Sequence, residues 1–150
     1  MTNTDKHVDV LILDDDIDLL TTTAELLADV GYKVKGFADP ESALEFAIGQ
    51  TFSVGLFDFR LGSLKNGLDV VETMQALGCK SVYVMVSADV ESSTRLRAIN
   101  LKLFDFIRKP VAPEVLLETS GRALAQSQKL AACDYRPVVG RGLMKSKNLA

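Results

Sequence analysis

No apolar run in this sequence approaches the roughly 20 residues a bilayer-crossing helix needs, so no membrane span is expected. The first nine residues, Met1 to Asp9, are polar and partly acidic, unlike the basic-then-apolar start of a signal peptide, and none is expected. Cysteine is scarce: Cys79 and Cys133 form neither a CxxC pair nor any metal-ligand spacing. That excludes a disulfide framework and a thiolate metal centre, and two isolated thiols fit a reducing cytoplasm. The one histidine, His7, stands in the polar N-terminal segment and reads as a solvated terminal residue rather than a phosphotransfer group. There is no internal repeat and no low-complexity stretch.

What is present suits one globular domain with one sizeable core, since 150 residues carry 47% hydrophobic content. The net charge of −3 conceals an asymmetry. Residues 1–120 hold 19 acidic and 11 basic side chains, whereas residues 121–150 hold one acidic and six basic. The division predicted is a domain over 1–131 and a basic tail, or the start of a linker to an effector domain, over 132–150. The tail reads as a solvated segment. With one aromatic, Tyr135, and no recognisable motif it is not expected to bind nucleic acid directly.

Strand and helix patterns alternate five times. Val8 to Leu13 is an almost continuous apolar run, as a buried parallel strand should be. Ile17 to Val30 follows at helical spacing, with Gly31 as its stop. Tyr32 to Phe37 alternates like an edge strand. Pro40 to Ile48 opens on Asp39 as N-cap and ends at Gly49. Ser53 to Phe57, Ser81 to Val86 and Leu103 to Ile107 read as strands. Leu68 to Leu77, a polar Val90 to Asn100, and Ala112 to Leu130 read as helices. Met74, Met85, Cys79 and the phenylalanines read as core, and Thr21-Thr22-Thr23 as a helix surface. Strict βα alternation predicts a doubly wound parallel α/β sheet with helices on both faces, in the flavodoxin-like strand order 2-1-3-4-5.

The charged residues at the strand ends carry the functional signal. Asp14-Asp15-Asp16 closes the first strand, Asp58 the third, and Lys109, followed by Pro110, the fifth. In an open parallel sheet these C-terminal ends share one edge, where ligand chemistry sits. Asp16 is best placed to cap the next helix. Two further adjacent carboxylates repel each other unless a cation is present. Magnesium suits a site of few carboxylates that leaves room for water and a phosphoryl group. Phosphoryl chemistry is the expectation from these residues alone.

In sequence order, Leu11-Ile12-Leu13-Asp14-Asp15-Asp16, Leu56-Phe57-Asp58 with Arg60-Leu61, Asn66-Gly67-Leu68, Val86-Ser87-Ala88 and Phe104-Asp105-Phe106-Ile107-Arg108-Lys109-Pro110 resemble the motifs of a response-regulator receiver domain, the phospho-accepting half of two-component signalling. The resemblance covers about residues 6–131. The chain departs from the pattern at Gly62, where the family often has proline, in a loop one residue longer before Gly67, and at Lys102-Leu103, where the family usually has Gly-Ala.

The resemblance implies that Asp58 accepts a phosphoryl group from a sensor histidine kinase or phosphotransfer protein. It implies that Asp15 binds Mg²⁺ directly and Asp14 partly through water, that Asp58 and the backbone carbonyl of Arg60 complete the ligands, and that Ser87 and Lys109 receive the phosphoryl oxygens. It also implies a cis Lys109–Pro110 bond and a switch role for Phe106. Arg60 and Asp89, two residues past Asp58 and Ser87, are expected to flank the phosphoryl group and slow its hydrolysis. The face of the fourth helix, fifth strand and last helix, with Arg95, Arg97, Lys102, Asp105 and Arg108, is a candidate phosphorylation-dependent homodimer surface. Two other readings stand beside this one. A haloacid-dehalogenase-type phosphatase would use Asp14 as nucleophile, since Asp14-Asp15-Asp16 satisfies that family's Asp-x-Asp strand end. It would need a second downstream acidic cluster, and after Lys109 the only aspartate is Asp134. A non-phosphorylated interaction module of the same fold would lack one of the acidic or acceptor residues, and none is missing. Pro137 to Met144 faintly resembles the opening of the ATPase domain in alternative-sigma-factor activators.

Overall fold

The computed structural model describes residues 7–134 apart from Asp89. The basic tail beyond Asp134, with the segment Pro137 to Met144, therefore lies outside the described residues, as does Asp89. Ten elements alternate along the chain: β1 (His7–Leu13), α1 (Ile17–Asp29), β2 (Val34–Phe37), α2 (Pro40–Gly49), β3 (Thr51–Asp58), α3 (Gly67–Ala76), β4 (Val82–Ser87), α4 (Ser92–Asn100), β5 (Asp105–Arg108) and α5 (Pro113–Asp134). All strand pairs are parallel, in the order β2-β1-β3-β4-β5, as the alternation predicts.

The period-2 alternation of each strand sorts its side chains to two cores. Val10, Ile12, Val54, Leu56, Val82, Val84 and Val86 face one side, against Leu27 of α1 and Leu116, Ala123 and Leu124 of α5. Leu11, Leu13, Phe57, Tyr83 and Met85 face the other, against Ala43 and Ala47 of α2, Val70, Val71 and Met74 of α3, and Ala98 of α4. Covering both faces is why the central strands read as continuous apolar runs rather than alternating ones. Met74 and Met85 are fully buried. Cys79 packs partly buried against the second core, and burial pushes its thiol up in pKa.

Helices begin where the caps predict. Asp16 accepts from the backbone of Asp18 and Leu19, which leaves Asp14 and Asp15 without a capping duty. Asp39 caps α2. Asn66 caps α3 in a reciprocal box with Asp69: each side chain accepts from the other's backbone N–H. Thr23 departs from expectation. It is buried rather than on the helix surface, because it lies on the α1 face that packs down near Asp14.

Three helices end in the same turn. After α1, α3 and α4 the residue beyond the C-cap is left-handed: Gly31 (φ 103°), Gly78 (φ 91°) and Lys102 (φ 63°). In each, that residue's N–H and the next one's reach back to the helix's last carbonyls, as Lys102 does to Ile99 and Leu103 to Ala98. This turn consumes Leu103, so β5 starts at Asp105 rather than at the expected Leu103. α4 starts at Ser92, two residues later than expected, with Glu91 as an N-cap that makes no side-chain bond. β2 begins at Val34 because the turn after α1 takes Tyr32. α5 runs past Leu130 to Asp134.

Lys102 is the described non-glycine with positive φ, and a side chain in that region costs about 1 kcal/mol. Lys102→Gly is expected to raise the unfolding free energy by up to about 1 kcal/mol, and Lys102→Ala to leave it near the starting value. Urea unfolding checks this; an unshifted midpoint in Lys102→Gly would show that the turn carries no strain.

Candidate functional site

The strand order sets the order of charges along the C-terminal edge. Reading across it, β1 delivers Asp14 and Asp15, β3 Asp58, β4 Ser87 and β5 Lys109. In register Asp58 pairs with Val86, and Ser87 with Arg108. The backbone completes the frame: Phe59 N–H donates to Val86 O at 3.0 Å, and Lys109 N–H to Ser87 O at 3.0 Å. The Lys109–Pro110 bond is cis, as the motif implied.

Asp14, Asp58 and Ser87 are each 5% exposed. Asp15 is exposed and opens the cluster to solvent. One carboxylate oxygen from each of Asp14, Asp15 and Asp58 lies within 4.8 Å of the others. Lys109 Nζ sits 2.9 Å from Asp58 Oδ2 and 4.0 Å from Asp14 Oδ2. The backbone N–H groups of Asp16 and Arg60 donate to Asp14 at 2.9 Å and to Asp58 at 3.3 Å.

Charge balance governs these groups. Burial, and then the neighbouring Asp58 charge, outweigh the Asp16 N–H bond and raise the Asp14 carboxyl from 3.8 to about 6. Burial alone would lower Lys109. Its hydrogen bond and attraction to Asp58, with Asp14 and Asp15, prevail and hold it above the usual lysine value. Three carboxylates against one ammonium leave an excess of negative charge. An all-oxygen, partly open donor set of this kind fits a small hard divalent cation such as Mg²⁺.

Phe106 on β5 is half-buried against the α2–α3–α4 side, and the Arg95 guanidinium lies 5.5 Å from its ring centroid. Arg60 is exposed beside Asp58, while its expected counterpart Asp89 lies outside the described residues. His7 is at the opposite end of the sheet. It is exposed, with ring nitrogens 2.7 and 2.9 Å from the hydroxyls of Thr51 and Ser53.

Two charges of the expected α4, β5 and α5 face have partners within the chain. Arg97 turns inward and bridges Asp69 and Glu72 of α3, each at 2.8 Å. Asp105 bridges Arg122 of α5 at 2.8 Å. Both residues are engaged within the chain. The Asn66–Asp69 cap spacing is readable in the sequence; its sharing with Arg97 is not, because 28 residues separate them.

Comparison with known proteins gives the family and the fold. The family model described as "Response regulator receiver domain" matches residues 10–120. The chain is 29% identical over 130 residues to the alginate biosynthesis transcriptional regulatory protein AlgB of Pseudomonas aeruginosa, covering 87% of this chain and 29% of that protein. It is 28% identical over 129 residues to the transcriptional regulatory protein ZraR of Escherichia coli, covering 86% and 29%. The chain thus spans under a third of these relatives' length. Among solved structures, a CheY-like response regulator receiver domain protein from Methanospirillum hungatei superposes with a TM-score of 0.76 at 28% identity, covering 83% of this chain and 97% of that one. The receiver domain of NtrX from Brucella abortus gives 0.71 at 29% identity, covering 78% and 98%.

The raised Asp14 pKa makes stability depend on pH. The folded state holds this proton more tightly than the unfolded state, so the contribution is complete below about 4 and is lost as pH rises through about 6. In cation-free buffer, Asp14→Asn should remove this loss and gain up to about 3 kcal/mol over the parent at pH 7. Urea unfolding from pH 4 to 7 measures it. A constant difference between the two proteins across that range would show that Asp14 is not perturbed.

Proposed function

The chain belongs to the response regulator receiver domain family, and we propose that it is a phospho-accepting switch whose acceptor is Asp58. The observation that carries this reading is the Lys109 ammonium held 2.9 Å from the buried Asp58 carboxylate, inside a cluster of acids. The donor class is a phosphohistidine of a sensor kinase or phosphotransfer protein. An Asp58 oxygen attacks phosphorus, the P–N bond breaks, and its electron pair leaves on the imidazole, which takes a proton.

Asp14, Asp15, Asp58 and the Arg60 carbonyl would hold Mg²⁺. Bound there, the ion offsets the negative charge gathered between carboxylate and phosphoryl oxygens. Lys109 supplies a fixed donor on the opposite side and transfers its hydrogen bond from Asp58 to a phosphoryl oxygen. Arg60 covers the solvent side and hinders in-line water. The product is a conformation rather than a released compound, so the domain signals and is not an enzyme in the ordinary sense.

The phosphoryl group adds about −1.5 to −2 charges at a buried point. Ser87, one strand away, turns its hydroxyl to those oxygens, and the half-buried Phe106 ring moves into the vacated space. Phenylalanine has no hydroxyl, so packing alone holds the inward state, whereas Arg95 over the ring favours the outward one. The altered surface is that of α4, β5 and α5. Two copies joined through it form a symmetric pair, with Lys102, Arg108 and the exposed apolar Leu96 and Ile99 on that surface. No helix among the described residues is long and apolar enough to cross a membrane.

The phosphatase reading puts the phosphoryl group on Asp14 instead. Asp14 is disfavoured as a nucleophile because the Lys109 ammonium lies 4.0 Å from it against 2.9 Å from Asp58, and because burial holds its own carboxyl raised in pKa.

Acetyl phosphate with Mg²⁺ should add one phosphoryl mass to the parent chain and none to Asp58→Asn. Arg60→Ala should accept the group and lose it faster. Label mapped to Asp14, or full labelling of Asp58→Asn, would overturn the assignment. Beryllofluoride, a phosphoryl mimic, should move the sedimentation distribution from monomer toward dimer; identical distributions with and without it would remove the homodimer.

A further inference from the structure

The loop from β3 to α3 places Gly62 in left-handed backbone, at φ 60°. A methyl group at this position would lie 2.8 Å from Asp15 Oδ2, closer than non-bonded atoms approach. The next nearest heavy atom is Asp15 Cγ at 4.0 Å, so this carboxylate alone occupies the space. Gly31 and Gly78 also have positive φ, yet a methyl at either would meet nothing within 4 Å. Gly67 is tight in another way: a methyl there would lie 2.5 Å from the Asp58 backbone oxygen, where nothing can yield.

We propose that Gly62 is a positioning residue for the divalent cation. By carrying no side chain, it leaves the room in which Asp15 holds its carboxylate beside those of Asp14 and Asp58. This rests on reading the acidic cluster as a cation site. Asp15 is the exposed member of the three, so its carboxylate is the one free to swing. A methyl at residue 62 would push it aside at little cost to folding, because the displaced atom ends a flexible side chain. The same displacement is severe for a ligand, since Mg²⁺ demands near-ideal octahedral geometry with oxygens at about 2.0–2.1 Å. The effect therefore falls on cation affinity, and the left-handed backbone contributes a separate loss of stability that any such glycine shares.

The full chain is titrated with MgCl₂ in a calorimeter, and each variant's stability is measured in cation-free buffer. Gly62→Ala should bind Mg²⁺ about tenfold more weakly. Gly78→Ala should lose similar stability and keep the parent affinity. Gly62→Asn keeps the clash while tolerating positive φ, and should lose affinity with less loss of stability; it also serves if the alanine variant folds poorly. In an Asp15→Asn background, Gly62→Ala should change affinity little, because its action passes through that carboxylate. Parent-like affinity in Gly62→Ala and Gly62→Asn overturns the proposal. So does an equal loss in Gly78→Ala, or full additivity with Asp15→Asn. A parent chain that binds no Mg²⁺ overturns the cation-site reading as well, whereas a parent that binds but ignores residue 62 overturns this inference alone.

Discussion

The contact on which the rest of this edge depends is that between Lys109 and Asp58. Two carboxylates, Asp14 and Asp58, are almost wholly withdrawn from water, and removing ionised carboxylates from water costs several kcal/mol each unless they are compensated. The compensating ammonium comes from a strand two places away, about 10 Å across the sheet at the usual strand spacing. Only a long, flexible stem spans that distance over β4. The bond from Lys109 N–H to Ser87 O fixes where the stem starts. The order β1-β3-β4-β5 is thus an electrostatic arrangement as well as a topological one: the carboxylates of Asp14, Asp15 and Asp58, the Ser87 hydroxyl and the Lys109 ammonium follow one another along a single edge.

Much of this was legible in the sequence because the determinants are local. Apolar runs flanked by caps and stops give the ten elements, and strict alternation gives the sheet. The acids and the lysine are found by asking what stands at each strand's C-terminal end. What escaped the sequence depends on contacts between distant segments. Thr23 looked like surface because Thr21 and Thr22 are, and only the packing of α1 onto the sheet buries it. Arg97 and Asp105 looked like free surface charges because nothing local shows that Asp69 and Arg122 lie opposite them. The shifted start of β5 follows from a turn chemistry that Lys102 hides, since a lysine does not announce a left-handed residue as glycine does.

Asp69 links two parts of the molecule. One of its oxygens accepts the Asn66 N–H, closing the loop that begins at Asp58, and the other accepts Arg97 of α4. Burial would raise this carboxyl, but the Asn66 and Arg97 contacts outweigh it and hold it below the usual range. A single side chain thus joins the loop bordering the acidic cluster to the helix beyond β4. The neighbouring Gly67 keeps that loop tight against the Asp58 backbone.

The shallow seating of α4 has an energetic consequence. Ala98 is its one buried residue, while Leu96 and Ile99 face outward; α3 by contrast buries five residues. A ligand can redistribute two conformations only by as much free energy as it distinguishes between them. Inverting a population from one in a hundred to ninety-nine takes about 5.5 kcal/mol. Extracting α3, with Leu68, Val70, Val71 and Met74 buried, would exceed that, at about 6–12 kcal/mol for four such side chains. One methyl and a half-exposed ion pair lie well within it. Of the two helices, α4 is thereby the one whose displacement a few charge-assisted hydrogen bonds could offset.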